Sequence, residues 1–137
     1  MSAQPIFERA AARAGQQGLP YAGAVTPQEA HDLHEARQAT IVDVRTRSEF
    51  EQVGHVPGTE LIEWRRDGEP EPDPRFVERL AASHPDKTAP LLLLCRSGVR
   101  SHYAAELAAR AGFSRVYNIL SGFEQGWRPA GLPWEKE

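Results

Sequence analysis

The chain has one cysteine, Cys95, and residue types that favour anions follow it directly. It is the first member of a heptapeptide that continues with Arg96, Ser97, Gly98, Val99, Arg100 and Ser101. An apolar run at residues 90–94 precedes this segment, and a helix-like stretch at residues 101–111 follows it. Backbone N–H groups at a helix N-terminus lack partners within the helix, and the helix dipole favours negative charge there. We therefore expect a loop that binds an anion or stabilises Cys95 as a nucleophilic thiolate.

Strands and helices are expected to alternate around this loop and to position it. The pattern predicts strands at residues 41–44, 60–63, 91–94 and 116–120, and helices at residues 6–14, 26–39, 73–82, 101–111 and 123–127. Thr26, Pro27 and Glu29 are the N-terminal signature of a helix. The run at residues 91–94 is apolar on both faces, as central strands of parallel sheets are. The sequence therefore predicts an α/β fold with a central parallel sheet and helices on both faces.

Composition limits the class of protein. The 137 residues, of which 40% are hydrophobic and 26% charged, fit one soluble globular domain. The net charge of −3 argues against a nucleic-acid-binding surface, so we expect no nucleic-acid partner. We divide the chain into an N-terminal extension at residues 1–19, which carries a short helix, and a single domain at residues 20–137.

The cysteine count and the hydropathy of the sequence indicate the cellular compartment of the protein. A single cysteine forms no internal disulfide, which suits a reducing compartment. The sequence has no run of 18 apolar residues, and residues 1–18 lack the apolar core of a secretory signal. We therefore expect a cytoplasmic protein that has no membrane partner.

Four short motifs follow one another along the chain. They are Val-Asp-Val-Arg at 42–45 with Glu-Phe at 49–50, Gly-His-Val-Pro-Gly at 54–58, the heptapeptide at 95–101, and a series of Gly-Phe, Val-Tyr-Asn, Gly-Phe and Trp between 112 and 127. Over roughly residues 21–134 the sequence thus resembles a single rhodanese domain, which is a family of thiosulfate and persulfide sulfurtransferases. Any one motif alone would be weak, but four in sequence order are specific.

The resemblance implies a rhodanese-like fold and a role for several residues. Cys95 corresponds to the nucleophile that carries a persulfide, and residues 96–101 correspond to the loop that holds its sulfur. Asp43 and Arg45 correspond to residues that support the site without reacting.

The segment at residues 63–73 departs most from the family pattern. Trp64 and Arg65 lie in it, and the resemblance implies that they stand at the rim of the pocket. It implies neither a cofactor nor a metal. His31 and His34, spaced by three residues without a supporting cysteine or carboxylate, do not suggest a metal site either.

The implied reaction is a double displacement. Cys95 takes the outer sulfur of a small anionic donor, such as thiosulfate, and passes it to a thiol or cyanide acceptor. Arg96 and Arg100 are expected to add positive charge that attracts the donor. Gly98 is expected to supply the positive φ of a tight anion-binding loop. Ser101 is expected to cap the following helix and to direct its hydroxyl at the sulfur.

Two other functions remain open. A sulfur-relay module would deliver the persulfide to a protein acceptor. A cysteine phosphatase or arsenate reductase is disfavoured, because Cys95 and Arg100 have the spacing Cys-x4-Arg and cysteine phosphatases use Cys-x5-Arg. Ser101 stands where the longer loop would have its arginine, and the shorter ring suits a sulfur atom better than a phosphate.

Overall fold

The centre of the molecule is a parallel sheet. The structure, a computed structural model, describes residues 3–136. Within them it places five strands: β1 (Gly23–Val25), β2 (Thr40–Asp43), β3 (Glu60–Leu61), β4 (Leu91–Leu94) and β5 (Val116–Ile119). Their order in the sheet is β1-β5-β4-β2-β3, and the neighbouring strands pair in parallel. β4 is therefore the middle strand, and Cys95 follows its carboxyl end.

Helices cover both faces of this sheet. They are α1 (Gln4–Gln17), α2 (Pro27–Glu35), α3 (Phe76–Ser83) and α4 (Val99–Arg110), with π-helical turns at Glu49–Val53 and Phe123–Trp127. Leu92 and Leu94 are buried in one cluster with α1 and α2, whereas Leu91 and Leu93 are buried in another with α3 and α4. Successive side chains of a strand point to opposite faces, so β4 is covered on both. The predicted α/β fold is confirmed.

α2 begins with a capping box. The Thr26 hydroxyl accepts a hydrogen bond from the Glu29 N–H at 3.1 Å, and the Glu29 carboxylate accepts one from the Thr26 N–H at 2.9 Å. This reciprocal pair satisfies two backbone donors at the start of the helix. The helix ends at Glu35, before the predicted residue 39, because the chain turns at Arg37 with a φ of 57°.

α1 is longer than the helix predicted at residues 6–14. Gly18 ends it with a φ of 65°, a left-handed conformation that glycine adopts readily. Ile6 and Ala10 are buried in the same cluster as Val25 of β1, so this helix shares the core of the sheet. The domain boundary at residue 19 stays a prediction, and residues 1, 2 and 137 lie outside the described part of the chain.

The remaining helices lie close to their predicted positions. α3 begins three residues later than predicted, because Asp73 accepts a hydrogen bond from the Arg75 N–H at 2.9 Å in the turn that precedes it. α4 begins two residues earlier, directly after Gly98. Within residues 3–136, no helix is both long and apolar enough to cross a membrane.

Candidate active site

Cys95 is buried at the carboxyl end of β4. Its side chain is 1% exposed and packs in the cluster formed with α3 and α4. The Gly98 N–H donates a hydrogen bond to Sγ at 3.1 Å, and Oγ of Ser101 lies 3.2 Å from Sγ, where either atom can donate. A buried sulfur that accepts a hydrogen bond from a backbone amide is suited to carrying negative charge.

The loop turns into α4 at Gly98. This residue has a φ of 98° and is the N-cap of the helix, so Val99 is the first helical residue and Ser101 the third. Of the two roles expected for Ser101, the helix cap is wrong, because the helix starts two residues earlier. The hydroxyl faces Sγ and donates a hydrogen bond to Oδ1 of Asn118 at 2.5 Å.

Asn118, which the sequence analysis noted only as part of a motif, belongs to the site. It lies on β5, beside the middle strand, and its side chain is buried. Its Nδ2 donates to the Gly98 carbonyl at 3.1 Å, while its Oδ1 accepts from Ser101. Asn118 therefore holds the loop at two points. A polar residue in the otherwise apolar run at 116–120 was the signal that could have identified it.

Glu49, which the sequence reasoning noted only as part of a motif, binds Arg100. Nη1 and Nη2 of Arg100 donate to the two carboxylate oxygens of Glu49 at 2.6 and 2.7 Å. Burial raises the pKa of Glu49, but hydrogen bonds from Arg100 and Thr46 outweigh it and lower the pKa to about 2. Hydrogen bonding to Glu49 also raises the pKa of Arg100. Both groups are therefore charged and paired throughout the physiological pH range.

The other loop arginine is paired as well. Nε of Arg96 lies 2.7 Å from a carboxylate oxygen of Glu124, and the Arg96 side chain is 61% exposed. Arg96 and Arg100, which were expected to add positive charge beside the thiol, each bind a glutamate that is distant in sequence, and their attraction of an anionic donor stays a prediction. The hydrogen-bond donor that faces the sulfur is the backbone N–H of Gly98, and the Ser101 hydroxyl lies beside it.

Asp43 and Arg45 form a fully buried ion pair at the end of β2. Nη2 of Arg45 lies 2.8 Å from Oδ2 of Asp43 and also donates to the Gly54 carbonyl at 2.7 Å. The guanidinium lies over the Phe123 ring, 4.5 Å from its centre, and the Phe123 N–H donates to the Cys95 carbonyl at 2.8 Å. The pair thus contacts the segments that flank the cysteine loop.

Trp64 and Arg65, the two residues predicted at the rim of the pocket, differ in their contacts and exposure. Trp64 packs partly buried against the cluster of α3 and α4, and its ring stacks on Tyr103 of α4 with centroids 6.3 Å apart. Tyr103 borders a cleft beside the cysteine loop, so Trp64 stands near that cleft. Arg65 is partly exposed, and its place at the rim stays a prediction.

The two closely spaced histidines face different partners. The His31 ring contacts the Trp127 ring edge-on at 5.8 Å, whereas Nε2 of His34 lies 3.2 Å from the Pro57 carbonyl. Among residues 3–136, no group of three or more His, Cys, Asp or Glu side chains is placed to hold a metal ion.

Comparison with known proteins decides the family. The family model described as the rhodanese-like domain matches residues 26–128. The chain belongs to this family. The matched region includes the cysteine loop, the Asp43–Arg45 pair, Glu49 and Asn118, so the rhodanese-like domain contains the whole site described above.

Individual relatives agree with this assignment. The chain is 30% identical over 111 residues to the thiosulfate sulfurtransferase GlpE of Actinobacillus succinogenes, a match that covers 81% of this chain and 88% of the relative. It is 35% identical over 108 residues to an uncharacterised protein of Rickettsia conorii, covering 71% and 83%. The crystal structure of Rv0390 from M. tuberculosis matches with a TM-score of 0.75 at 33% identity, covering 85% and 99%. The fold is rhodanese-like, and the family includes sulfurtransferases.

Proposed function

We propose that this protein is a sulfurtransferase in which Cys95 carries sulfur as a persulfide. The observation that carries the proposal is the 3.1 Å hydrogen bond from the Gly98 N–H to Sγ, at the start of α4. An amide at a helix N-terminus stabilises anionic sulfur, and both the thiolate and the persulfide are anionic. Similarity to a thiosulfate sulfurtransferase supports the same reaction class.

The proposed cycle has two displacements. The Cys95 thiolate attacks the outer sulfur of thiosulfate, the sulfur–sulfur bond of the donor breaks, and sulfite leaves with its electron pair. Cyanide or a thiol then attacks the outer sulfur of the persulfide, and the thiolate of Cys95 is the leaving group. Each half of the cycle returns an anion to the position that Gly98 and Ser101 contact. Ping-pong kinetics follow from such a covalent intermediate.

Two features favour sulfur over phosphate as the transferred group. The loop from Cys95 to Arg100 is one residue shorter than that of cysteine phosphatases. Both terminal nitrogens of Arg100 already bind Glu49, so its planar fork is not available for bidentate binding of a phosphate. Phosphate-ester hydrolysis is therefore the weaker candidate.

The proposal includes substrates and a compartment. The donor is a small anion such as thiosulfate, and the acceptor is cyanide or a thiol. The reaction needs a free thiol, and the chain has a single cysteine, so we place it in the reducing cytoplasm. The proposed cycle uses no cofactor.

The test is sulfur transfer from thiosulfate to cyanide. We expect wild-type protein to form thiocyanate and Cys95→Ser to form none, because an alcohol cannot hold the sulfane sulfur. The substitution exchanges one atom, so circular dichroism should show an unchanged fold. Thiocyanate formation by Cys95→Ser, or hydrolysis of an aryl phosphate by wild type without any sulfur transfer, would refute the proposal.

A further inference from the structure

A cleft of about 330 Å³ borders the cysteine loop. Gly98 and Val99 contribute to it from the loop, and Tyr21, His102 and Tyr103 contribute aromatic rings. Gly98 is shared by the cleft and the cysteine site, because its N–H donates a hydrogen bond to the sulfur at 3.1 Å. The volume is that of a small-molecule site. Cys95 itself does not line the cleft, so Gly98 is the residue through which a ligand in the cleft would approach the sulfur.

The lining of the cleft is largely apolar and has no fixed charge. Among the described residues that line it there is no Asp, Glu, Lys or Arg. Val99 and Tyr103 are 60% and 50% exposed, and exposed apolar side chains grouped in a concave surface mark a binding site. Leu19 and Leu120 add to the apolar surface. This lining suits a small uncharged ligand better than an anion.

Tyr21 and His102 form a polar pair in this cleft. The Tyr21 hydroxyl lies 2.7 Å from Nδ1 of His102. Burial raises the pKa of Tyr21, and a hydrogen bond with Asn118 only partly offsets the rise, so the phenol stays protonated. Asn118 accepts in turn from Ser101, which contacts the sulfur of Cys95. A series of polar contacts therefore joins the pair to the reactive atom.

We propose that this cleft binds the sulfur acceptor, that the acceptor is a small uncharged thiol, and that His102 takes the proton of that thiol. The inference rests on the proposed sulfurtransferase function and specifies its second half. When the His102 Nδ1–H donates to the oxygen of Tyr21, Nε2 is the nitrogen that accepts a proton. Tyr21 is then a positioning residue, because it fixes the tautomer and the orientation of the ring.

The step balances in atoms and charge. The acceptor R–SH gives its proton to Nε2 of His102, and the thiolate R–S⁻ attacks the outer sulfur of the Cys95 persulfide anion. A bond forms between the acceptor sulfur and the outer sulfur, and the bond between the outer sulfur and Sγ breaks. Its electron pair stays on Sγ. The products are R–S–S⁻, the Cys95 thiolate and the imidazolium of His102, and no redox partner is needed.

Few ionisable groups surround the His102 ring. Tyr21 faces it from the segment before β1, and Tyr103 faces it from α4, with ring centroids 5.3 and 5.1 Å from that of His102. Glu106, one turn further along α4, interacts electrostatically with Tyr21. The raised pKa of Tyr21 keeps its phenol protonated, so within the pair the imidazole is the group that takes the proton.

The first experiment compares acceptors with wild-type protein. Protein is loaded with thiosulfate, the persulfide is verified by intact mass, and its discharge is followed in single turnover. We expect 2-mercaptoethanol to discharge it about tenfold faster than the anionic 3-mercaptopropionate at equal thiolate concentration, because the cleft offers no counter-charge. Equal rates, or a faster rate for the anionic thiol, would overturn the assignment of an uncharged acceptor.

The second experiment removes the proton acceptor. His102→Gln should slow discharge by 2-mercaptoethanol at pH 8 by about 100-fold, the usual contribution of one acid–base group. Discharge by sulfite, which is already ionised at that pH, should be unchanged. The defect should shrink as the pH approaches the ionisation of 2-mercaptoethanol itself. Tyr21→Phe should show the same selective defect in weaker form.

His84→Gln is the matched control, since His84 binds Glu60 and does not line the cleft. An equal loss with thiol and sulfite in the His102→Gln protein would show a structural effect, and an unchanged thiol rate would show that His102 takes no proton. Either result overturns the proposal. Discharge by a protein thiol but not by 2-mercaptoethanol would also overturn it. Failure of wild-type protein to load would instead refute the sulfurtransferase function, so the two failures are distinguishable.

Discussion

At the scale of single residues, the two arginines of the cysteine loop are paired with glutamates, and the groups that contact the sulfur are uncharged. Arg100 binds Glu49 through two hydrogen bonds, and Arg96 binds Glu124. Sγ of Cys95 instead meets the Gly98 N–H and the Ser101 hydroxyl. In the proposed cycle, the oriented N–H of Gly98 stabilises the thiolate and the persulfide without holding an anionic product by net charge.

Removal of the Glu49 charge should make Cys95 more reactive towards anions. In Glu49→Gln, Arg100 loses its carboxylate partner, and Arg100 interacts electrostatically with Cys95. We expect the ratio of alkylation rates, iodoacetate over iodoacetamide, to rise about threefold or more through local attraction of the anion. Glu51→Gln is the control, because Glu51 pairs with an exposed arginine, Arg47. An unchanged ratio in Glu49→Gln would contradict the electrostatic account.

The same carboxyl makes folding stability depend on pH. The folded-state pKa of Glu49 is about 2, below its ordinary value of 4.5. Its contribution to stability is therefore complete above about pH 4.5 and is lost as the pH falls towards 2. We expect wild type to exceed Glu49→Gln by roughly 2 kcal/mol in free energy of unfolding at pH 7, and this difference to vanish near pH 2. Urea denaturation at several pH values measures this stability difference. A difference that does not change with pH would contradict its assignment to the Glu49 carboxylate.

At the scale of elements, β4, the loop and α4 form one unit around Gly98. The φ of 98° at Gly98 turns the chain from strand to helix and directs its N–H at the sulfur. A Cβ at this position would lie 3.3 Å from the Ser121 nitrogen, so the loop is also closely packed. The geometry of the sulfur site therefore depends on one backbone conformation.

Gly98→Ala should abolish sulfur transfer while the protein stays folded. Alanine at this φ is strained by about 1–2 kcal/mol, and the loop is expected to relax away from Sγ. Gly131→Ala is the control, since Gly131 also has a positive φ, of 77°, but open space around it. Gly98→Ala should lose at least as much stability in urea as Gly131→Ala, and only Gly98→Ala should lose transfer activity. Full activity in Gly98→Ala would show that the Gly98 amide is dispensable.

The elements were predictable where local pattern decides them. The apolar run of β4 and the capping box of α2 follow from neighbouring residues, and the structure contains both. Glu49 and Asn118 were not assigned to the site, because they come from other elements and meet the loop only in the folded chain. For the same reason the sequence predicted the positive charge of Arg100 but not the carboxylate that pairs with it. A motif identifies loop residues but not their partners.

At the scale of the whole molecule, α1 is joined to the sheet by close packing and by an ion pair. A Cβ on Gly23 of β1 would lie 2.4 Å from the Ala10 carbonyl oxygen, so the helix backbone rests directly on the strand. Arg13 binds Glu29 of α2 at 2.6 Å and the Ala24 carbonyl at 2.9 Å. Burial raises the pKa of Glu29, but its hydrogen bonds outweigh this and lower the pKa to about 2. α1 thus closes one face of the sheet.

Gly23→Ala should therefore destabilise the fold. The new methyl group cannot fit without moving the α1 backbone, and overpacking of this kind typically destabilises by about 1–3 kcal/mol. Gly15→Ala is the control, because Gly15 lies within α1 with nothing near its Cβ position. That variant should gain about 0.5–1 kcal/mol from helix propensity. Equal melting temperatures for the two variants would refute close packing of α1 on β1.

The central claim, a persulfide on Cys95, is tested most directly by the intact mass of the protein after incubation with thiosulfate. We expect wild type to gain the mass of one sulfur atom per chain and to lose it on addition of cyanide, with thiocyanate formed in equal amount. Cys95→Ser should gain nothing. An unchanged mass for wild type, or the same gain in Cys95→Ser, would contradict the account.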